Sequence, residues 1–179
     1  MKKSLRAFLQ IASVVLISSG VSAVAAEKKE ATTDSSKTAA PASLSDKDKS
    51  FMKEAAKGGM MEVEMGKTAQ QKGKSAEVKK IGGTMVSDHT KANNELMAIA
   101  KKKGVDLSKE KPKSHSMSDA NFDKEYINMM VEDHEKDLAE FQAEAKDGSD
   151  ADVKAFAAKT SKVIQKHLNM VKAAQAKMK

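Results

Sequence analysis

Residues 75–104 read SAEVKKIGGTMVSDHTKANNELMAIAKKKG, and this stretch decides the fold. Val78, Gly82, Met85, His89, Ala92, Leu96 and Ile99 recur in steps of four and three, the spacing that lines side chains along one stripe of an α-helix. Ser75 stands where an N-cap belongs. Lys101, Lys102 and Lys103 put positive charge at the negative helix end, and Gly104 suits the C-cap. A helix with a single apolar stripe has to bury it against other elements. Within that stripe His89 occupies a place where packing asks for an apolar side chain.

Working outward, three more stretches show the same period. The first runs from about Ser45, with Ser45 as N-cap and Asp46 and Asp48 in the first turn, to Gln71, and Gly73 ends it. Its stripe is Phe51, Ala55, Gly58, Glu62, Met65, Ala69. The third helix is expected from Ser118 to Asp147, closed by Gly148, with the stripe Ile127, Val131, His134, Leu138, Phe141, Ala145. The fourth starts at Ser149 or Asp150 and runs to the end, with Val153, Phe156, Thr160, Val163, His167, Met170, Ala174. Each helix would be roughly 40 Å long at 1.5 Å per residue. Short turns near Gly73 and Gly148 make two antiparallel hairpins. A connection of about fifteen residues, holding Pro112 and a solvated His115, joins helices two and three. At ~3.3 Å per extended residue it spans roughly 50 Å, so both a ferritin-like crossover and an up-down-up-down order fit. The expected class is all-α, a ferritin-like four-helix bundle over residues 45–179.

Composition agrees. Of 179 residues, only 3% are aromatic and 32% are charged; two prolines and nine glycines leave little punctuation for a many-stranded fold. The absence of cysteine excludes disulfides, thiolate metal sites, cysteine nucleophiles and a lipidated N-terminal cysteine. Residues 1–25 read as a signal peptide: Lys2, Lys3 and Arg6, an apolar run from Ala7 to Ser19, then small residues offering cleavage after Ala23, Ala25 or Ala26. An uncleaved anchor is the alternative, although the run is short of the ~20 residues a spanning helix needs. Residues 26–44 are small, polar and aperiodic, as a disordered tether would be. The chain is therefore expected to be exported to the bacterial periplasm, with outer-membrane association left open. Without Lys2, Lys3 and Arg6 the formal charge falls from +7 to about +4. Arg6 is the only arginine and Tyr126 the only tyrosine, which argues against nucleic acid. No later segment spans a membrane, and an envelope partner or an anionic surface stays open.

Glu62, His89, His134 and His167 place one ionisable group on the stripe of each helix. Burying such groups unpartnered costs several kcal/mol, so they should meet one another, a neighbour or an ion. One carboxylate and three imidazoles suit zinc, copper, iron or manganese. The motif Met85-Val-Ser-Asp-His-Thr-Lys91 recurs as Met130-Val-Glu-Asp-His-Glu-Lys136, and its Asp88 and Asp133 are candidate hydrogen-bond acceptors around a metal's ligands. Met85 and Met130, one turn before His89 and His134, are candidate soft thioether ligands for copper, or simply gap-fillers in the core. The other reading is that the histidines cap packed layers with no ion. Counting from turns at 73 and 148 offsets the two groups in each hairpin by ~6–7 Å, which allows one site, two smaller ones, or none. Catalysis has less support: Gly-x-Ser-x-Gly, a glycine-rich phosphate loop and His-Glu-x-x-His are all missing. A non-enzymatic binder leads, and an envelope stress or interaction protein with structural histidines follows. A metal-dependent oxidase stands third.

Phe51-Met-Lys-Glu-Ala-Ala-Lys-Gly-Gly-Met-Met-Glu-Val-Glu-Met-Gly-Lys-Thr-Ala69, Met85-Val-Ser-Asp-His-Thr-Lys-Ala-Asn-Asn-Glu-Leu96, Phe122-Asp-Lys-Glu-Tyr-Ile-Asn-Met-Met-Val-Glu-Asp-His134 and His167-Leu168 resemble, in order, the exported ferritin-like proteins catalogued as domain of unknown function 4142, often labelled outer-membrane proteins. The resemblance implies a ferritin-like fold and an envelope location, and no activity. Ferritin-type di-iron sites use Glu-x-x-His on two helices, whereas Val86, Val131 and Ile164 stand three before the histidines here. Iron storage and ferroxidase chemistry are not implied. Nor does any segment alternate like a barrel strand.

Overall fold

A computed structural model of the chain describes residues 44–112 and 115–178. The expected signal peptide and all of the tether but Leu44 lie outside them. The described residues hold four helices and no strand: α1 (Asp46–Lys72), α2 (Ala76–Lys103), α3 (Phe122–Asp147) and α4 (Ala151–Ala176). Ser45 and Ser75 cap α1 and α2 through side-chain oxygens that accept from Asp48 N–H and Val78 N–H. Gly104 ends α2 at φ 70°, in the left-handed region that glycine tolerates.

The third helix begins at Phe122, four residues later than its periodicity suggests. The approach to it is held by the α1–α2 turn instead: Lys72 pairs with Asp119 at 2.9 Å, and the N–H groups of Lys74 and Ser75 donate to the Asp123 carboxylate, each at 2.8 Å. Lys177 pairs with Glu77 at 2.6 Å and brings the end of α4 to the same end of the molecule. At the opposite end, Lys103 pairs with Asp150 at 2.6 Å, and Ser149 N–H donates to Asp48 at 2.9 Å. These ties orient the helices. Both hairpins are antiparallel, α1 faces α3, α2 faces α4, and α2 runs parallel to α3. The connection from Gly104 to Asn121 therefore returns along the bundle, which resolves the topology as the crossover order. It passes on the α1/α3 side, where Glu110 pairs with Lys57 at 3.3 Å and an exposed His115 lies beside Gly58 and Asp133.

The core is in two parts. Met65, Ile81, Met85, Tyr126, Ile127, Met130 and Leu168 pack towards the first end, and Met52, Leu96, Leu107, Phe141, Phe156 and Ile164 towards the second. Leu44, the last residue of the expected tether, joins the second part. On every helix the ionisable stripe residue falls between the two, so Glu62, His89, His134 and His167 form a polar layer across the middle. In the first half of α1 the buried stripe is Met52, Ala56 and Gly59, one position on from the expected Phe51, Ala55 and Gly58, which are half-buried. Phe51 packs edge-on against Phe141 with ring centres 4.9 Å apart.

A second buried acidic feature closes the far end. Burial pushes the Glu144 carboxyl up to about 7, and the hydrogen bond to Asp48 and the charge there push the same way. Burial also works to raise Asp48, but the Ser45 hydroxyl, Glu144 and Ser149 N–H outweigh it and hold Asp48 down at about 2. The pair therefore shares one proton, carried by Glu144. Between pH 4.5, where an unfolded glutamate titrates, and pH 7 the folded chain binds this extra proton, so its contribution to stability fades as pH rises through that window. Glu144→Gln keeps a donor to Asp48 and removes the titration. Compared with the native chain by urea unfolding, it should be equally stable near pH 4.5 and more stable by about 2–3 kcal/mol at pH 8. A difference that does not change with pH would refute the shared proton.

Candidate metal centre

Three helices each bring one imidazole to the polar layer. His89 from α2, His134 from α3 and His167 from α4 are all buried, and each offers a nitrogen within 4.8 Å of the other two. Ring centres are 5.6 Å apart for His89 and His134, 5.3 Å for His89 and His167, and 5.4 Å for His134 and His167. The seam spacing of four and three puts each ring inward. The crossover order then sets α4 between α2 and α3, with α2 and α3 diagonal to each other.

Hydrogen bonds fix which nitrogen of two rings carries the proton. His134 Nδ1 lies 2.9 Å from the Met130 carbonyl, which can only accept, so Nδ1 holds a hydrogen. His167 Nε2 lies 3.1 Å from an Asp88 carboxylate oxygen, so Nε2 holds one too. The remaining nitrogens, His134 Nε2 and His167 Nδ1, face each other at 3.4 Å. With both protons spent elsewhere, this is lone pair against lone pair. His89 adds a buried Nε2 with no hydrogen-bond partner.

Electrostatics keep the layer neutral. Burial pushes the His134 imidazole down to about 4, with His167 acting in the same direction against the Met130 carbonyl. Burial also lowers His89, well below the usual range and helped by both other rings, and lowers His167 against the pull of Asp88. Uncharged imidazoles with free lone pairs are the form that binds metal.

Glu62 from α1 approaches from the other side of His134, its Oε1 3.4 Å from Nδ1, the nitrogen turned away from His167. It is fully buried, and neither carboxylate oxygen has a hydrogen-bond partner. Burial, with Asp137 and Asp133 adding, holds it protonated well above the ordinary carboxylate range. The three histidines thus come together and Glu62 stands behind one of them. Asp88 supports His167 across the α2/α4 interface, and not its chain neighbour His89. Asp133 lies on the α1/α3 side near Glu62. Met85 and Met130 pack in the apolar part of the core, and Met130 contributes to the site through its backbone carbonyl. That acceptor, one helical turn before the histidine, leaves no signature in side-chain identities.

No helix among the described residues is long and apolar enough to cross a membrane. Residues 33–174 match the family described as "Domain of unknown function (DUF4142)". No curated protein and no solved structure matches the chain.

Proposed function

The chain belongs to the family of domain of unknown function 4142, and we propose that it works as a metal-binding helical bundle holding one ion on His89, His134 and His167. The observation that carries this is the pair of bare nitrogens, His134 Nε2 and His167 Nδ1, held 3.4 Å apart. Two nitrogens each ~2.0–2.1 Å from a tetrahedral ion are about 3.3–3.4 Å apart. An ion between them turns a repulsive contact into two bonds and gives His89 Nε2 a partner. Met130 O and Asp88 then do what outer acceptors do for metal-bound histidine, fixing tautomer and ring angle.

Three imidazoles without a charged carboxylate favour zinc or copper over the harder manganese. The function is binding or buffering of such an ion rather than turnover. The basic, apolar and small-residue segments of the first 25 residues support a site of action outside the cytoplasm.

The test is direct. Metal-free protein is incubated with zinc and with copper in separate samples, desalted, and its metal content measured by mass spectrometry. The native chain should retain one ion, and a His134→Ala, His167→Ala variant should retain almost none. Loss of zinc and copper alike from the native chain on desalting would refute the proposal, and would leave the histidines as packing residues.

A further inference from the structure

The polar layer is not sealed equally on all sides. The crossover covers the α1/α3 face, where Glu110 holds to Lys57 and His115 lies over the groove. On the opposite face α2 and α4 pack together more sparsely than the helices of either hairpin, and a cleft of about 400 Å³ opens between them. Its floor is His89 and His167, and its walls include Ala92, Thr160 and Val163. The small exposure left to the site lies here: His89 is 7% and His167 3% exposed, against 0% for His134.

We propose that this cleft admits a small monoanion that takes the open coordination position on the bound ion. The inference rests on the metal reading above. Three protein nitrogens leave a tetrahedral ion one vacant position, and Glu62 is not placed to fill it, because it stands behind His134 on the α1 side. The cleft ends on two of the three ligands, so the vacant position faces it. Thr160 supplies a hydroxyl in the wall for the outer atom of a bound anion.

Charge at the mouth favours an anion. Lys91, Lys159 and Lys166 rim the cleft together with Asp88 and Glu95. Lys91 pairs with Asp88, which also holds His167, and Lys159 pairs with Glu95 at 2.6 Å, so the rim keeps a net charge of +1, carried by Lys166. A monoanion with an acceptor atom at each end, as in a carboxylate, meets a metal inside, a hydroxyl beside it and Lys166 outside. The apolar wall of Ala92, Val163 and Met170 limits it to a few atoms.

The full chain loaded with cobalt(II) tests this, because d–d absorption reports coordination directly. Azide, a linear monoanion, is titrated at constant ionic strength. The cobalt bands of the native protein should change with saturation. Val163→Trp, which fills the cleft and replaces no ligand, should bind cobalt as before and lose the azide response. Thr160→Val, nearly isosteric, should weaken azide about tenfold by removing one hydrogen bond to a charged group. Bound cobalt whose bands ignore azide would overturn the cleft proposal and leave the metal site standing. An unchanged azide response in both variants would overturn it as well. Failure to bind cobalt, together with loss of zinc and copper on desalting, would overturn both readings.

Discussion

Saturating zinc should raise the thermal unfolding midpoint of the metal-free native chain by about 15 °C, and the rise should disappear in His134→Ala, His167→Ala. A ligand that binds only the folded state at a thousand times its dissociation constant stabilises by about 4 kcal/mol. For a bundle of this size each kcal/mol moves the midpoint by roughly 4 °C. The effect should also persist into mild acid. Imidazoles exposed to water bind protons near pH 6.5 and then release metal. Here burial lowers all three, His134 to about 4, so protons compete only at lower pH. Scanning calorimetry with and without zinc at pH 7.5 and pH 5.5 should give shifts of similar size. A shift that collapses by pH 5.5 would mean that the ion is held at the surface, away from the layer.

Gly82→Ala should damage the bundle severely. At this point α1 and α2 touch backbone to backbone. A methyl at Gly82 would sit 2.5 Å from the Gly66 carbonyl oxygen and 2.9 Å from Ala69 Cβ, and one at Gly66 would sit 2.7 Å from the Gly82 carbonyl oxygen. Backbone cannot swing aside as a side chain can, so the two helices must separate. The expected loss is about 2–3 kcal/mol, a fall of roughly 8–12 °C in the midpoint. The neighbouring Gly83 is the internal control. A methyl there meets only the end of the Gln70 side chain, at 3.3 Å, which can move. Gly83→Ala should stabilise by about 0.5–1 kcal/mol, the ordinary gain from alanine over glycine inside a helix. Equal effects at positions 82 and 83 would refute the close crossing. His89 lies two turns beyond Gly82, so the first variant should also bind zinc more weakly.

Local signals carried the helices well. Ser45 and Ser75 cap because a hydroxyl reaching the third N–H needs only its own turn, and Gly104 ends α2 because its backbone is left-handed. The stripe placed Glu62, His89, His134 and His167 inward for the same reason, since helical period is a property of neighbours three and four apart. The start of α3 was not local. Nothing in Ser118 or Asp119 rules out a helix; it is Lys72 and Lys74 from the α1–α2 turn that hold this approach in another conformation.

The level of the site shows the division most clearly. Residue counting offsets His134 and His167 by several ångströms, yet their nitrogens meet. Cα–Cβ bonds lean towards each helix's own N-terminus, and α3 and α4 run in opposite directions. His134 is nearer the α3–α4 turn and leans away from it; His167 is farther and leans back. The two leans close the gap that the count leaves. The sequence alone was enough for the four helices and their inward histidines, because both follow from periodicity along one chain segment. Only the assembled bundle decided that the three rings converge while Glu62 stands behind one of them. Only there does Asp88 serve His167 and the α2/α4 face stay open, because these depend on which helices lie side by side and which way each one runs.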